Sequence, residues 1–461
     1  MGGAAAAVLA PPLLGLDGTG LLLAIVVGTV AAPTAYLIWT LDPAYVFTGA
    51  FILAPFSNNW EGVGVPGILA PDRILLIGAI ATVLFRGPAV RDRGPIRVEA
   101  VHWVMAAAIA YAVISALAVE AFDQREPFFR LLEAYGVLPF FVFLCAPIAF
   151  RNARERRVLL WGIVGLGAYL GLTAMFEGLN FDALVFPRYI LDPAFGIHAD
   201  YARGPFVEAS TNGLALFSCA IASLMTVLLV RDGRWRLAAA VVCCVCLVAA
   251  FFTMERSVWI GVVVSSLVAV AVLGPARRFL VPVLAIGTAG LIAALIFVPG
   301  LASQADDRLN TTSTAYDRLN MNTAAVAMIE DRPLLGFGWG GYAVERDEFF
   351  EQSPNYPLVG QQNIMAHNVF LNNAAELGLI GVTLWLVALG GMLIGALRTP
   401  VAGDLRAWRA SLIPLAVMCF IVMNFTPIKN FSTLLLCLWA GVVWSARYTT
   451  DEPSPHRRAL G

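Results

Sequence analysis

Lysine is nearly absent from this chain: Lys429 is the only one among its 461 residues. Charge of either sign is scarce, at 13% Asp, Glu, Lys and Arg with a net of −1, where a soluble domain carries about 25%. No global field therefore recruits nucleic acid, and no basic cluster is dense enough to do so by itself. Cysteine is present but kept out of polar loops. Cys145, Cys219, Cys243, Cys244, Cys246, Cys419 and Cys437 all fall inside apolar runs, so no disulfide framework is expected, and the Cys243–Cys246 cluster reads as small filler in a membrane helix. No Lys or Arg precedes Arg73, so the start lacks the basic region of a cleaved signal peptide. No P-loop is found. Neither an Asp-x-Asp motif nor a His cluster offers a metal site, so no metal and no cofactor is expected.

Apolar sequence dominates what is there. The chain is 59% hydrophobic with a mean hydropathy of +0.78, against about 45–50% apolar for a soluble domain. The fold class expected is all-α, a polytopic integral membrane protein forming one domain over 1–461. Apolar runs lie near 21–39, 43–56, 72–85, 99–119, 127–149, 158–176, 211–230, 237–253, 257–275, 279–299, 368–397, 410–427 and 431–446. Crossing the hydrocarbon takes roughly 20 residues, which predicts about 12–13 helices, with the short runs at 43–56 and 72–85 tilted, kinked or re-entrant. Arginines gather at Arg86–Arg97, Arg151–Arg157, Arg231–Arg236, Arg277–Arg278 and Arg398–Arg409, and again in the tail at Arg447, Arg457 and Arg458. The positive-inside rule makes these segments, and the tail 448–461, cytoplasmic. Two long loops, 177–210 and 300–366, then face the other side.

The large loop has an order of its own. Its stretch from Ser313 reads as a helix capped near that residue and stopped by Pro333, with Leu319, Val326 and Ile329 on one face. Gly336, Gly338, Gly340 and Gly341, interleaved with Phe337, Trp339 and Tyr342, follow at once. They read as a close-packed glycine loop with interfacial aromatics. The loop closes on HNVFLNNAAELGLIG, His367 to Gly381, which opens the next apolar run. Gly378 and Gly381 are spaced to let another helix approach. Three arginines stand outside the cytoplasmic groups. Arg256, flanked by Glu255 and Ser257, interrupts otherwise continuous apolar sequence; Arg318 opens the loop helix; Arg203 precedes a membrane helix, near Glu208 and Asn212. An arginine at a membrane edge ordinarily snorkels to headgroups, and a histidine there is ordinarily interfacial.

Taken together, His367-Asn368 followed by Gly378-x-x-Gly381, the Glu255-Arg256-Ser257 element between two membrane helices, and Arg318 with the Pro333–Gly338 run resemble the O-antigen ligase and polymerase superfamily of bacterial membrane glycosyltransferases. The resemblance covers about Asp200 to Leu389. It departs at Glu255, where Ser is expected, and at Asn322, where an aromatic often follows the loop arginine. It implies a multi-pass protein of the bacterial inner membrane that moves a glycan from a polyprenyl-diphosphate carrier to an acceptor hydroxyl, on a glycan or a lipid, at the outer face. The chemistry suits the residues. Arginine grips phosphate oxygens and stays charged, so Arg256 and Arg318, with Arg203 as a secondary contact, are the candidate diphosphate ligands. Diphosphate needs no general acid to leave, and histidine can activate the acceptor, so His367 is the candidate base; His198 is its rival. Asn368, Gly378, Gly381 and Glu255 are expected to support the site. Ligase and polymerase share all these residues. The alternative is a transporter or flippase of lipid-linked glycan, its path lined by intramembrane Arg, Glu and His; the lack of twofold internal similarity favours the enzyme.

Overall fold

The computed structural model describes residues 33–86, 95–196, 198–274, 277–298, 300–310, 313–351, 355, 366–427 and 429–449. Among them every regular element is helical. In chain order these are α1 (Pro33–Thr40), α2 (Pro43–Leu53), α3 (Pro71–Phe85), α4 (Ala100–Ala118), α5 (Arg125–Ala149), α6 (Ala153–Gly178), α7 (Ala209–Leu229) and α8 (Gly233–Ala249). Then come α9 (Arg256–Val272), α10 (Arg277–Phe297), α11 (Leu301–Asn310), α12 (Ser313–Asp331), α13 (Gly341–Phe349), α14 (Val369–Arg398), α15 (Leu405–Met423) and α16 (Asn430–Trp444). Among the described residues, eight helices are long and apolar enough to cross a membrane, or up to nine if the bent first pair is one span. The protein is an all-α, multi-pass membrane protein. Of the roughly 12–13 spans expected, the run at 21–39 lies mostly outside the described residues, as does the tail beyond 449. The short early run behaves as its length dictates: α1 and α2 meet at 120°, with Asp42 capping α2 through the Ala44 N–H at 2.9 Å.

The bundle has a buried hub and an apolar, outward-facing rim. α7 and α16 are buried along almost their whole length, while α4, α8 and α14 show large apolar faces outward. Lipid tails are as apolar as leucine, so helices here associate by close packing rather than by escape from water. Small residues at the α6–α7–α8 seam show how. A methyl group on Gly167 would stand 2.7 Å from Cys219 Cβ, and one on Gly171 would stand 2.8 Å from Val245. Cys246 fills the same seam and its Sγ donates to the Gly167 carbonyl at 3.2 Å. The cysteine cluster is packing material, as its sequence suggested.

One end of the bundle collects arginines, the other the long loops. At the arginine end, Arg156 grips Asp404 with two bonds of 2.7 and 2.8 Å, and Arg447 pairs with Glu99. At the loop end, α12 packs on α14, though only partly by the face expected. Leu319 and Val326 are exposed; Met321, Ala324, Ala325 and Met328 are buried instead. Ile329, the third residue of the expected face, is half-buried against the same packed cluster as Ala325 and Met328, and Asp317 and Asn320 are buried alongside.

A break in α14 fastens the large loop to the membrane bundle. Gly378 lies at φ 64°, ψ −176°, a region essentially reserved for glycine. The break frees backbone groups that the glycine run then satisfies. Phe337 N–H donates to Ala375 O at 3.0 Å and Gly338 N–H to Glu376 O at 2.8 Å, while Leu379 N–H reaches Pro333 O at 2.8 Å. A Cβ on Gly378 would sit 2.2 Å from Leu334 O, and one on Gly336 would sit 2.4 Å from Glu376 O. Gly378 therefore serves a loop docked into a broken helix. Gly381 does meet a helix, since its Cβ would fall 2.6 Å from the Tyr111 ring of α4.

Candidate active site at the loop end

His367 immediately precedes α14, and the residue after it explains why it is held there. Asn368 is the N-cap: its Oδ1 accepts from Phe370 N–H at 2.9 Å and Leu371 N–H at 3.1 Å. Its Nδ2 donates to Asn424 Oδ1 at 3.3 Å, tying the start of α14 to the turn that begins at Asn424. The His367 ring is thereby fixed between α12, that turn and the start of α7. Its Nδ1 is buried and has no hydrogen-bond partner among the described residues.

Charges gather around the ring. Burial, and then the Arg318 guanidinium, push the His367 pKa down to about 4; Lys429 adds to this, and the Phe425 carbonyl and Glu208 oppose it. The imidazole is therefore neutral near pH 7, with a lone pair to offer. Glu208 is tied in turn. Lys429 Nζ lies 3.1 Å from its Oε1, and the Thr211 and Ser210 hydroxyls donate to it at 2.6 and 3.0 Å. Burial works against the Glu208 carboxylate, but Lys429 and these hydroxyls outweigh it and hold it below its usual range.

Arg318, on the first turns of α12, reaches Glu255 at 3.7 Å. Glu255 is the N-cap of α9, and Arg256 is that helix's first residue. The Glu-Arg-Ser interruption is thus a helix junction, reached through Met254 in the left-handed region at φ 51°. Ser257 Oγ is buried without a hydrogen-bond partner among the described residues. The fold accordingly brings Arg318, Glu208 and Lys429 around His367, with Glu255 held against Arg318 and Arg256 next to Glu255 in the chain. Helix N-termini of α7, α9 and α14 all open at this end, each bringing partial positive charge.

Arg203 is placed differently. It is wholly enclosed, and its fork is taken up by the carbonyls of Ile190 at 2.9 Å, Asp192 at 2.6 Å and Phe195. Its backbone N–H donates to Glu177 at 3.0 Å. This arginine pins the smaller loop to itself and to the end of α6. The rival histidine, His198, is exposed and stacks on Tyr201 with ring centres 4.9 Å apart. His102 is buried at the arginine end, its Nδ1 accepting from Glu99 N–H at 3.0 Å.

Three features were not anticipated. Lys429 is the first. The second is a buried ion pair: Arg130 Nη2 holds both oxygens of Glu376, at 2.9 and 2.7 Å. Arg130 opens a π-turn in α5 (Arg130–Tyr135) and lies 4.3 Å over the Trp339 ring. Trp339 in turn donates from Nε1 to Pro127 O at 2.9 Å and from its N–H to Ser115 Oγ at 3.1 Å. The glycine loop is thereby locked to α4 and α5 as well as α14. A signal existed, since a carboxylate and an arginine inside apolar runs carry a presumption of pairing. The third feature is a cavity of about 460 Å³, lined by Asn58, Arg125, Phe129, Arg130, Lys429 and Asn430, with Glu61, Glu126 and Glu133 among its carboxylates. Lys429 joins this cavity to the His367 cluster.

Comparison with curated proteins finds no match. The model of the O-antigen ligase family matches residues 239–386, a stretch that holds Glu255, Arg256, Arg318, the docked glycine loop, His367, Asn368 and the break at Gly378. Residues 239–386 of this multi-pass helical membrane bundle are thus similar to the O-antigen ligase family.

Proposed function

We propose that the protein is a membrane glycosyltransferase that passes a glycan from a polyprenyl-diphosphate carrier to an acceptor hydroxyl, with His367 as base and Arg318 and Arg256 as diphosphate ligands. The observation that carries this reading is the His367 Nδ1, buried, neutral and without a partner, beside a cationic cluster. In the transfer, the acceptor oxygen bonds to the anomeric carbon as the carbon–oxygen bond to phosphate breaks. The carrier diphosphate leaves with that electron pair, and the acceptor proton passes to the imidazole. Arginine close to the departing oxygens stabilises charge that grows along this path. The 3.7 Å contact of Arg318 with Glu255 is long for an ion pair, so phosphate oxygens can compete for the guanidinium. The neighbouring cavity combines carboxylates, amides and the Phe129 ring, groups suited to sugar hydroxyls and sugar faces. The reaction faces the outer side of a bacterial inner membrane, following the arginine distribution. Arg203 keeps a positioning role through the loop it pins.

Purified protein with a polyprenyl-diphosphate glycan and candidate acceptors tests this. His367→Ala lowers single-turnover transfer by about 10²–10⁴-fold and leaves donor binding near wild type, while His198→Ala transfers normally. Near wild-type transfer by folded His367→Ala sinks the assigned base.

A further inference from the structure

A second cavity lies far from His367. It has a volume of about 850 Å³ at the arginine end, where the starts of α6, α8 and α15 meet the end of α7. Glu208 caps one end of α7 and Leu229 closes the other, so the 21-residue helix separates the cavity from the His367 cluster by about 30 Å. That is the thickness of a hydrocarbon core, and the cavity therefore sits at the opposite membrane interface.

Its walls divide by chemistry. Arg156 is spent on Asp404 and on the carbonyls of Phe150 and Arg151. Arg157 and Arg231 are exposed and have no protein acceptor among the described residues. Three arginines thus face one carboxylate. Beneath them lie Leu160 and Leu229, and a pair of indoles, Trp161 and Trp235, packed edge to face at 5.4 Å. Trp235 is 58% exposed, which leaves the apolar wall open to the outside. Indoles at this depth mark the headgroup level of a bilayer. Arginines attract phosphate at the same level.

We infer that this cavity is a binding site for an anionic phospholipid of the leaflet on the arginine side, its phosphate held by Arg157 and Arg231 and its chains laid along Leu160, Leu229 and Trp235. A free phosphate would use the arginines and leave the apolar floor uncovered; a lipid matches both. The site is independent of the transfer chemistry, and its failure would leave the reading of His367 untouched.

Native mass spectrometry of the purified chain, released from detergent with phosphatidylglycerol or phosphatidylcholine, tests the inference. One phosphatidylglycerol should be retained in preference to phosphatidylcholine. R157Q/R231Q should bind it roughly 30-fold more weakly, following about fivefold for each arginine near a membrane surface. R157K/R231K keeps the charge and should lose less. Equal retention of the two lipids by the unaltered chain, a comparison that needs no variant, overturns the proposal. So does undiminished phosphatidylglycerol binding by folded R157Q/R231Q, or displacement of the lipid by inorganic phosphate at matched concentration.

Discussion

His367 is neutral by placement rather than by type. An ordinary imidazole titrates near 6.5, but burial and Arg318 bring this one down to about 4. If the neutral ring is the working form, kcat/KM should be level from pH 6 to 8 and fall only as pH drops through roughly 4. Bound diphosphate adds negative charge beside the ring, which favours the protonated form and raises its pKa. The acidic limb of kcat should therefore lie above that of kcat/KM, and the two profiles measured together check this. Stability follows the same sign. The unfolded ring takes its proton near 6.5 while the folded ring refuses it until about 4, so the fold loses stability as pH falls across that window, on the order of 1–2 kcal/mol between pH 7 and 5. The denaturation midpoint of His367→Asn should be less sensitive to pH there. Arg318 makes a complementary case. Arg318→Lys keeps charge but loses the fork, and should weaken donor binding about tenfold or more with a smaller effect on single-turnover rate; equal losses in both would assign Arg318 to the chemical step instead.

At the scale of elements, the site depends on how α14 begins and where it breaks. The Asn368 side chain both caps the helix and reaches Asn424. Asn368→Ala should cost about 1 kcal/mol from the lost cap and slow transfer further by loosening His367. Asn368→Asp keeps the cap acceptor but not the amide donor, so it should recover stability more fully than activity, as melting and turnover of the two variants will show. Gly378 has no such latitude. Gly378→Ala combines a backbone region closed to side chains with a methyl 2.2 Å from Leu334 O, and should destabilise the protein by about 3 kcal/mol or more. If its melting temperature matches that of the unaltered chain, the docked loop seen along α14 is not how the fold holds it.

At the scale of the whole molecule, the loop end is one connected assembly. Arg130 and Glu376 join α5 to α14 beneath the glycine loop, with the Trp339 ring stacked on Arg130. Breaking the pair by Glu376→Ala strands a buried cation and should cost about 3–5 kcal/mol. Replacing both with apolar residues of similar size, as in Arg130→Met with Glu376→Leu, should recover most of that loss. A double-mutant cycle on thermal stability separates the two outcomes; additive losses would mean the ion pair is not a coupled unit.

Much of this was legible in the chain by itself. The scarcity of charge and the apolar runs dictated a helical membrane bundle, because only helices and closed barrels satisfy every backbone group in lipid. The segregation of arginines marked two unlike ends. His367, Asn368, Arg318 and Glu255 could be singled out because polar residues at the edges of apolar runs are few. What the chain could not tell was decided by contacts between residues far apart in sequence. Arg203 looked like Arg256 in one dimension, yet the fold encloses it among three carbonyls of its own loop. Gly378 had the spacing of a helix-packing glycine, and only the approach of the Pro333–Gly338 backbone makes it a break. Lys429 carried no motif; Glu208, 221 positions away, gives it a place beside His367. Local pattern reports what a residue can tolerate around its own backbone, while the field and the partners at a site come from segments that meet only when the bundle closes.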